Sequence, residues 1–436
     1  MHRMERSRVP FLVTPRSHTG VEARMPQWSD RSTGERLQLL RGPGITQEQL
    51  AEMTGLSVAT IRAAEQDRRL TLPTLMKLSA ALGADISVIQ GQQAPRRQMA
   101  QADRSVVRAL SAAVHDTAAG ILPSDADAPQ LHELEAATDR CWNLYWKGRY
   151  TEAGALVTPF LASAAARVRE QPVGEQDAAW GVLADAYRLA AYVANLVGAR
   201  DLAYSAIGHA QAAASNAADG MRAALVNSGR AWVYLRDART DDALRLAEQS
   251  ATDIEPRFST ATPEQLTAYG SHVNFAAVVA SRMGNKDRAA DYLSQSHAVG
   301  ARMGREVRAH GTLFGPTTAT TQAVGINVSL GQTGKALTLI DSIKDVSGLA
   351  EAAQHRYQMD KAMAQADAKM WDASLDTLEN ALRAAPEWAR HQTMPSVIAE
   401  KVGRASTARL RRVSKLIGVR APIDGGFAGA TEKSAL

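Results

Sequence analysis

The chain has 436 residues, of which 45% are apolar, only 5% are aromatic and one is a cysteine, Cys141. That length suits two or three domains. The composition excludes a disulfide framework and a cysteine-based zinc site, and it favours helices packed through Ala, Leu and Val over aromatic-rich β-sandwiches. The net charge of +5 lies entirely within residues 1–97, while residues 98–436 balance 36 cationic against 36 anionic side chains. No run approaches the roughly 18 apolar residues of a membrane span, and "PFLV" near the N-terminus is too short for a signal-peptide core. A cytoplasmic, nucleoid-associated protein is therefore expected, with no membrane partner.

Residues 1–29 carry five arginines against two glutamates without periodicity and read as a disordered basic arm. Residues 30–91 form a compact block of short helices. In it "GERLQLLRG" (34–42) predicts a helix with Leu37 and Leu40 inward. Thr46 and Gln49 make a Thr-x-x-Gln capping box, so a second helix starts at Gln47 and ends at Thr54. Gly55 supplies a left-handed turn residue, and Ser57 caps a third helix from Val58 to about Gln66, with Ile61 and Ala64 inward. Ala51, Gly55 and Ile61 are spaced as two steeply crossing helices require. "TLPTLMKLSAALGADISVI" (71–89) adds Leu75, Leu78 and Leu82 on one face, and "ISVI" closes the domain.

Residues 92–130 read as a linker carrying one helix near 102–118. From 131 to 385 a polar turn led by Gly or Ala recurs, followed by an alanine that opens the next helix. The six turns are "GRYTEA", "GARDLA", "ARTDDA", "GNKDRA", "GQTGKA" and "AKMWDA". They close on Ala153, Ala203, Ala243, Ala289, Ala336 and Ala373, which are 50, 40, 46, 47 and 37 residues apart. A period of that size predicts stacked helical hairpins, since one hairpin cannot bury its own apolar face. Residues 386–420 predict C-terminal capping helices, with Arg409, Arg411, Arg412 and Lys415 around an apolar face, and residues 421–436 a disordered tail. The fold class is all-α, with an N-terminal five-helix unit followed by an α-solenoid.

Two resemblances add to this reading. "GITQEQLAEMTGLSVATIRAAEQDRRLTLPTLMKLSAALGA" (44–84) resembles the phage-repressor-like, or xenobiotic-response-element, helix-turn-helix family through every core position. "GRYTEA" resembles the Gly-x-Tyr-x-x-Ala turn of the tetratricopeptide repeat, from which the other turns depart. The combination is similar to Ala- and Arg-rich actinobacterial regulators. The first resemblance implies double-stranded DNA as partner. It places Gln47 near a phosphate, and Ser57, Val58, Ala59, Thr60, Arg62 and Ala63 along the reading edge. Arg41, Arg68 and Arg69 flank the helices as plausible phosphate contacts. One departure is evident: positions 58, 59 and 63 are Val, Ala and Ala, which leaves Arg62 as the one strong base reader.

No His-x-x-x-His, Gly-x-Ser-x-Gly or Walker loop appears, so neither an enzyme nor a cofactor is expected. Asn227, Arg230, Tyr234, Asn274 and Asn327 fall on first helices of the hairpins. Asparagine amides suit an extended peptide backbone, and in Gram-positive peptide-sensing regulators, which join the same two modules, such asparagines bind a signalling peptide. The reading is a transcription regulator whose repeats form a homodimer and sense a peptide or small-molecule effector. The alternative is a helical-repeat scaffold or antitoxin-like binder with a helix-turn-helix that reads no bases.

Overall fold

A computed structural model describes Trp28 and residues 31–68, 70–91, 101–123, 126–170 and 173–402, together with 412, 413, 416 and 417. The expected basic arm (apart from Trp28), Arg69, residues 92–100, most of the basic C-terminal cluster and the tail lie outside these residues. The protein is all-α, with a single two-stranded β-hairpin among the described residues. No described helix is long and apolar enough to cross a membrane.

The N-terminal unit comprises α1 (Thr33–Arg41), α2 (Gln47–Thr54), α3 (Val58–Glu65), α4 (Leu72–Leu82) and α5 (Ile86–Ile89). Local chemistry sets these boundaries. Capping boxes at Ser32/Glu35 and Thr46/Gln49 satisfy the first free N–H groups of α1 and α2. Gly55 ends α2 at φ 63°, and Ser57 caps α3. Leu37, Leu50, Ile61, Leu75 and Ile89 are fully buried; Leu40 and Leu82, expected inward, are partly buried at the rim of the same core. Trp28 packs here too, its indole Nε1 donating to the carbonyl of Val88 at 2.8 Å.

Helix α6 (Gln101–Ala118), expected as part of a linker, instead packs on α8 and buries Val106, Leu110 and Val114 in the first repeat core. Its approach is close because Gly154 faces Val106; a Cβ on Gly154 would collide with that side chain. Six hairpins follow in chain order. They pair α7 (Leu131–Trp146) with α8 (Tyr150–Arg169), α9 (Gln176–Leu196) with α10 (Arg200–Asn216), and α11 (Gly220–Arg236) with α12 (Thr240–Asp253). The remaining three pair α13 (Pro263–Arg282) with α14 (Lys286–Met303), α15 (Pro316–Ser329) with α16 (Thr333–Ser342), and α17 (Glu351–Asp367) with α18 (Trp371–Ala384).

All six hairpin turns share one geometry. A residue at positive φ ends the first helix: Gly148, Gly198, Ala238, Gly284, Gly331 and Lys369. The next N–H reaches back to a carbonyl five residues earlier, from Arg149 to Leu144 at 3.0 Å through Met370 to Gln365 at 2.8 Å. This is the Schellman closure that satisfies otherwise orphaned helix carbonyls. Five residues beyond each positive-φ position sits the buried closing residue. It is Ala153, Ala203, Ala243, Ala289 and Ala336, each fully buried. In the sixth turn the sequence expectation of Ala373 is corrected to Ser374. Lys369 takes the left-handed place, so the register moves by one and Ser374 is buried, its Oγ donating to the carbonyl of Ala362 at 2.7 Å.

Between α14 and α15 lies β1 (Val307–Ala309) paired antiparallel with β2 (Thr312–Phe314). His310 and Gly311 both have positive φ (50° and 72°), the conformation of a tight two-residue hairpin turn. The tip reaches the first hairpins. Arg188 donates from Nη2 to the His310 carbonyl at 2.6 Å and lies over Trp142, and Arg308 lies over Trp146. The inner side of the repeats is thus partly filled by the chain itself.

Helices α19 (Pro386–Arg390) and α20 (Met394–Val402) follow, and α20 packs on α17 and α18. The N-terminal unit docks on this assembly. Its core is continuous with Ala231, Leu235, Ala276 and Ala280 of α11 and α13. Asp85, which caps α5 through the Ser87 N–H, is ion-paired with Arg200, and Thr33 Oγ1 donates to Glu400 of α20.

Candidate nucleic-acid interface

The crossing of α2 and α3 leaves one edge of α3 in solvent. Ile61 and Ala64 point into the core, while Ser57, Ala59 and Arg62 are exposed and Val58, Thr60 and Ala63 half-exposed. Of the expected reading residues, Val58, Ala59, Arg62 and Ala63 therefore share one face, as the helical period requires, while Ser57 is the N-cap and Thr60 lies to one side. Ser57 and Thr60 have a prior structural duty: Ser57 Oγ accepts from the Thr60 N–H at 3.1 Å, and the two hydroxyls are 2.8 Å apart.

Behind this edge is a polar network centred on Glu65. Its buried carboxylate accepts from Arg41 at 2.6 and 3.2 Å and from Gln47 Nε2 at 2.7 Å; Gln47 Oε1 in turn accepts from Arg62 Nε at 3.3 Å. The Glu65 side-chain hydrogen bond raises the Arg41 pKa above its ordinary value. Arg41 also donates to the Ile45 carbonyl at 2.6 Å. Arg41, placed among the phosphate contacts by resemblance, thus has its guanidinium committed to holding α1, α2 and α3 together. Arg68 is exposed where the α3–α4 turn borders a cleft of about 410 Å³ against the repeats.

Glu65 was not singled out from the sequence. Position 65 follows the inward Ala64 and reads as the polar end of an amphipathic helix; only the approach of α1 turns it inward. Gly34 marks that approach, since a Cβ there would strike the Glu65 carbonyl. Gln38 Nε2 donates to the same carbonyl at 3.0 Å.

The N-terminus of α2, an arginine at the centre of a solvent-facing helix edge, and small residues around it can meet a duplex groove and its phosphates. Residues 38–89 match a helix-turn-helix family. The N-terminal unit is a helix-turn-helix DNA-binding domain. No curated protein and no solved structure is significantly similar to the chain.

The five residues expected to line a peptide groove are not brought together. On α11, Asn227, Arg230 and Tyr234 share a face roughly opposite to Trp232, Leu235 and Arg236, at about 100° per residue; the latter three line an inner cavity. Tyr234 instead stacks on Arg239, 4.1 Å from its ring centre, at the hairpin turn. Asn327 spends its amide on the Ala323 carbonyl of its own helix at 2.7 Å. Of the five, Asn274 alone borders the cavity, where its Oδ1 accepts from Ser296 Oγ at 3.2 Å.

Proposed function

We propose that the chain is a sequence-specific transcription regulator that works by binding and not by catalysis. Its helix-turn-helix domain reads double-stranded DNA, and its helical-repeat region forms a homodimer and senses a peptide or other small effector. The observation that carries the reading is the solvent-facing edge of α3 with Arg62 at its centre, in a domain that matches a helix-turn-helix family. Arg62 suits the O6/N7 edge of guanine, and Val58 and Ala59 suit thymine methyl groups. So small a set of readers gives a monomer little specificity, and two copies at fixed spacing would restore it.

The test is binding of labelled duplex from upstream of the gene at several salt concentrations, beside random duplex. Arg62→Ala is expected to weaken specific binding about 10- to 100-fold and relax specificity at one base pair. If the parent protein prefers its own upstream DNA no more than random duplex, the regulator reading fails. The apolar tip, Val58 and Ala59, favours the second reading in that event: a scaffold or antitoxin-like binder that acts through protein contacts. Light scattering coupled to size exclusion checks the dimer.

A further inference from the structure

Where the DNA-binding domain sits on the repeats, the two border a half-open cavity of about 360 Å³. One wall is Leu72, Met76 and Ile86 of α4 and α5; the others come from α11, α13, β2, α15, α17 and the start of α20. Trp232, Phe275, Leu313 and Phe314 give it an apolar lining, and Ser271, Asn274, Thr318 and Gln322 add polar groups. Three arginines from three different helices border it: Arg236 of α11, Arg282 of α13 and Arg356 of α17.

Their charges are not matched. The fourth lining charge, Asp85, is engaged by Arg200. Arg356 faces Asp360, Nε to Oδ2 3.4 Å, and Arg282 donates to Ser329 Oγ. Arg236 has no ion pair and no side-chain hydrogen bond among the described residues; its guanidinium lies 5.8 Å from the centre of the Trp232 ring. Three cations thus face one carboxylate, Asp360. Burial is the main cause that brings Arg236 and Arg282 down to about 10, with repulsion from Arg356 adding to it, so both stay charged at neutral pH. Arg236 is half-buried; a charge drawn out of water without a partner is costly, and a fold that keeps one against an apolar pocket is arranged for a counter-charge. The pocket has the size and mixed lining of a small-molecule site.

We propose that this cavity binds a small organic anion, one carboxylate or phosphate on an apolar body, with Arg236 and Arg356 gripping the anion. Because α4 and α5 form one wall, occupancy also sets how the DNA-binding domain sits on the repeats. That second part rests on the regulator reading above; the site itself does not.

The experiment uses the full chain and two probes, phenylacetate and phenyl phosphate, beside uncharged phenylacetamide and phenol. Melting temperature and titration calorimetry are the readouts. At least one anion is expected to raise Tm by about 2–3 °C at tenfold excess over its Kd, and which one does so separates a carboxylate site from a phosphate site. Arg236→Met is expected to abolish that rise, while Arg62→Ala keeps it. Without ligand, Arg236→Met is expected to melt at or above the parent, because an unanswered cation is removed. The site is overturned by no response to either anion, by an equal response to the neutral probes, or by a response that survives in Arg236→Met. It is equally overturned if ligand-free Arg236→Met melts well below the parent, since the arginine is then a structural member. An anion that binds but changes affinity for the upstream duplex less than threefold overturns the coupling alone, and a failure of DNA binding leaves the anion titration to be judged by itself.

Discussion

Both halves of the molecule draw an arginine partly out of solvent, and they treat it in opposite ways. In the DNA-binding domain Arg41 meets Glu65 in a two-point contact, and Gln47 fills the remaining acceptor. In the cavity beneath, Arg236 has no such partner among the described residues. The first arrangement spends its charge on geometry: it holds three short helices so that Arg62 projects into solvent. The second leaves charge unspent in a half-open pocket. A half-buried cation therefore has two readings, and the presence or absence of a counter-ion separates them.

The largest expected effect breaks the satisfied side of this comparison. Glu65→Ala strands Arg41 and Gln47 and is expected to lower stability by about 3–4 kcal/mol, the range for removing one partner of a buried pair. Denaturant titration measures it; a loss below about 1 kcal/mol would show that the network does not organise the domain. Next, the repeat register predicts that Ser374→Leu costs about 2–3 kcal/mol through overpacking and a lost hydrogen bond. Ala373→Leu, one position away and only partly buried, is expected to cost much less. Equal losses would refute the shifted register.

A smaller effect concerns the seam between the two halves. Burial pushes the Glu400 carboxyl up to about 7, against the lowering influence of its hydrogen bond from Thr33. A carboxyl whose folded pKa lies above its unfolded value of about 4.3 contributes stability below that value and loses it as pH rises towards 7. Glu400→Gln keeps an acceptor for Thr33 and removes the titration. The variant is expected to be more stable than the parent at pH 8 by about 2 kcal/mol and to show a flatter profile between pH 5 and 8; melting curves across that range decide it. The smallest expected effect is on the reading edge. Arg62→Ala should change stability by no more than about 0.5 kcal/mol, because the side chain is exposed, while its DNA affinity falls as stated above. A large stability loss would make Arg62 a structural residue.

Much of the DNA-binding domain was legible before any coordinates. Thr46, Gln49, Gly55 and Ser57 act on backbone groups within a few residues of themselves, so their pattern places the ends of α2 and the start of α3 directly. The same holds for the hairpin turns, where a left-handed residue and the small residue five positions later come as one local unit. The sixth turn shows the limit of pattern reading. Lys369 takes the conformation that glycine takes in four of the others, and the alanine count lands one residue short of Ser374.

Sequence alone therefore determined the all-α class, the ends of α2 and the start of α3, five of the six hairpin turns and the exposed edge carrying Arg62, because caps, turns and helical periodicity are short-range physics. Tertiary structure decided what lies opposite what. It turned Glu65 inward to Arg41, ran the β-hairpin to Trp142 and Trp146, separated Asn227, Arg230 and Tyr234 from the inner cavity, and gathered Arg236, Arg282 and Arg356 from positions 46 and 74 residues apart. Such pairings depend on how hairpins stack and where the N-terminal domain docks, and no spacing along the chain encodes them.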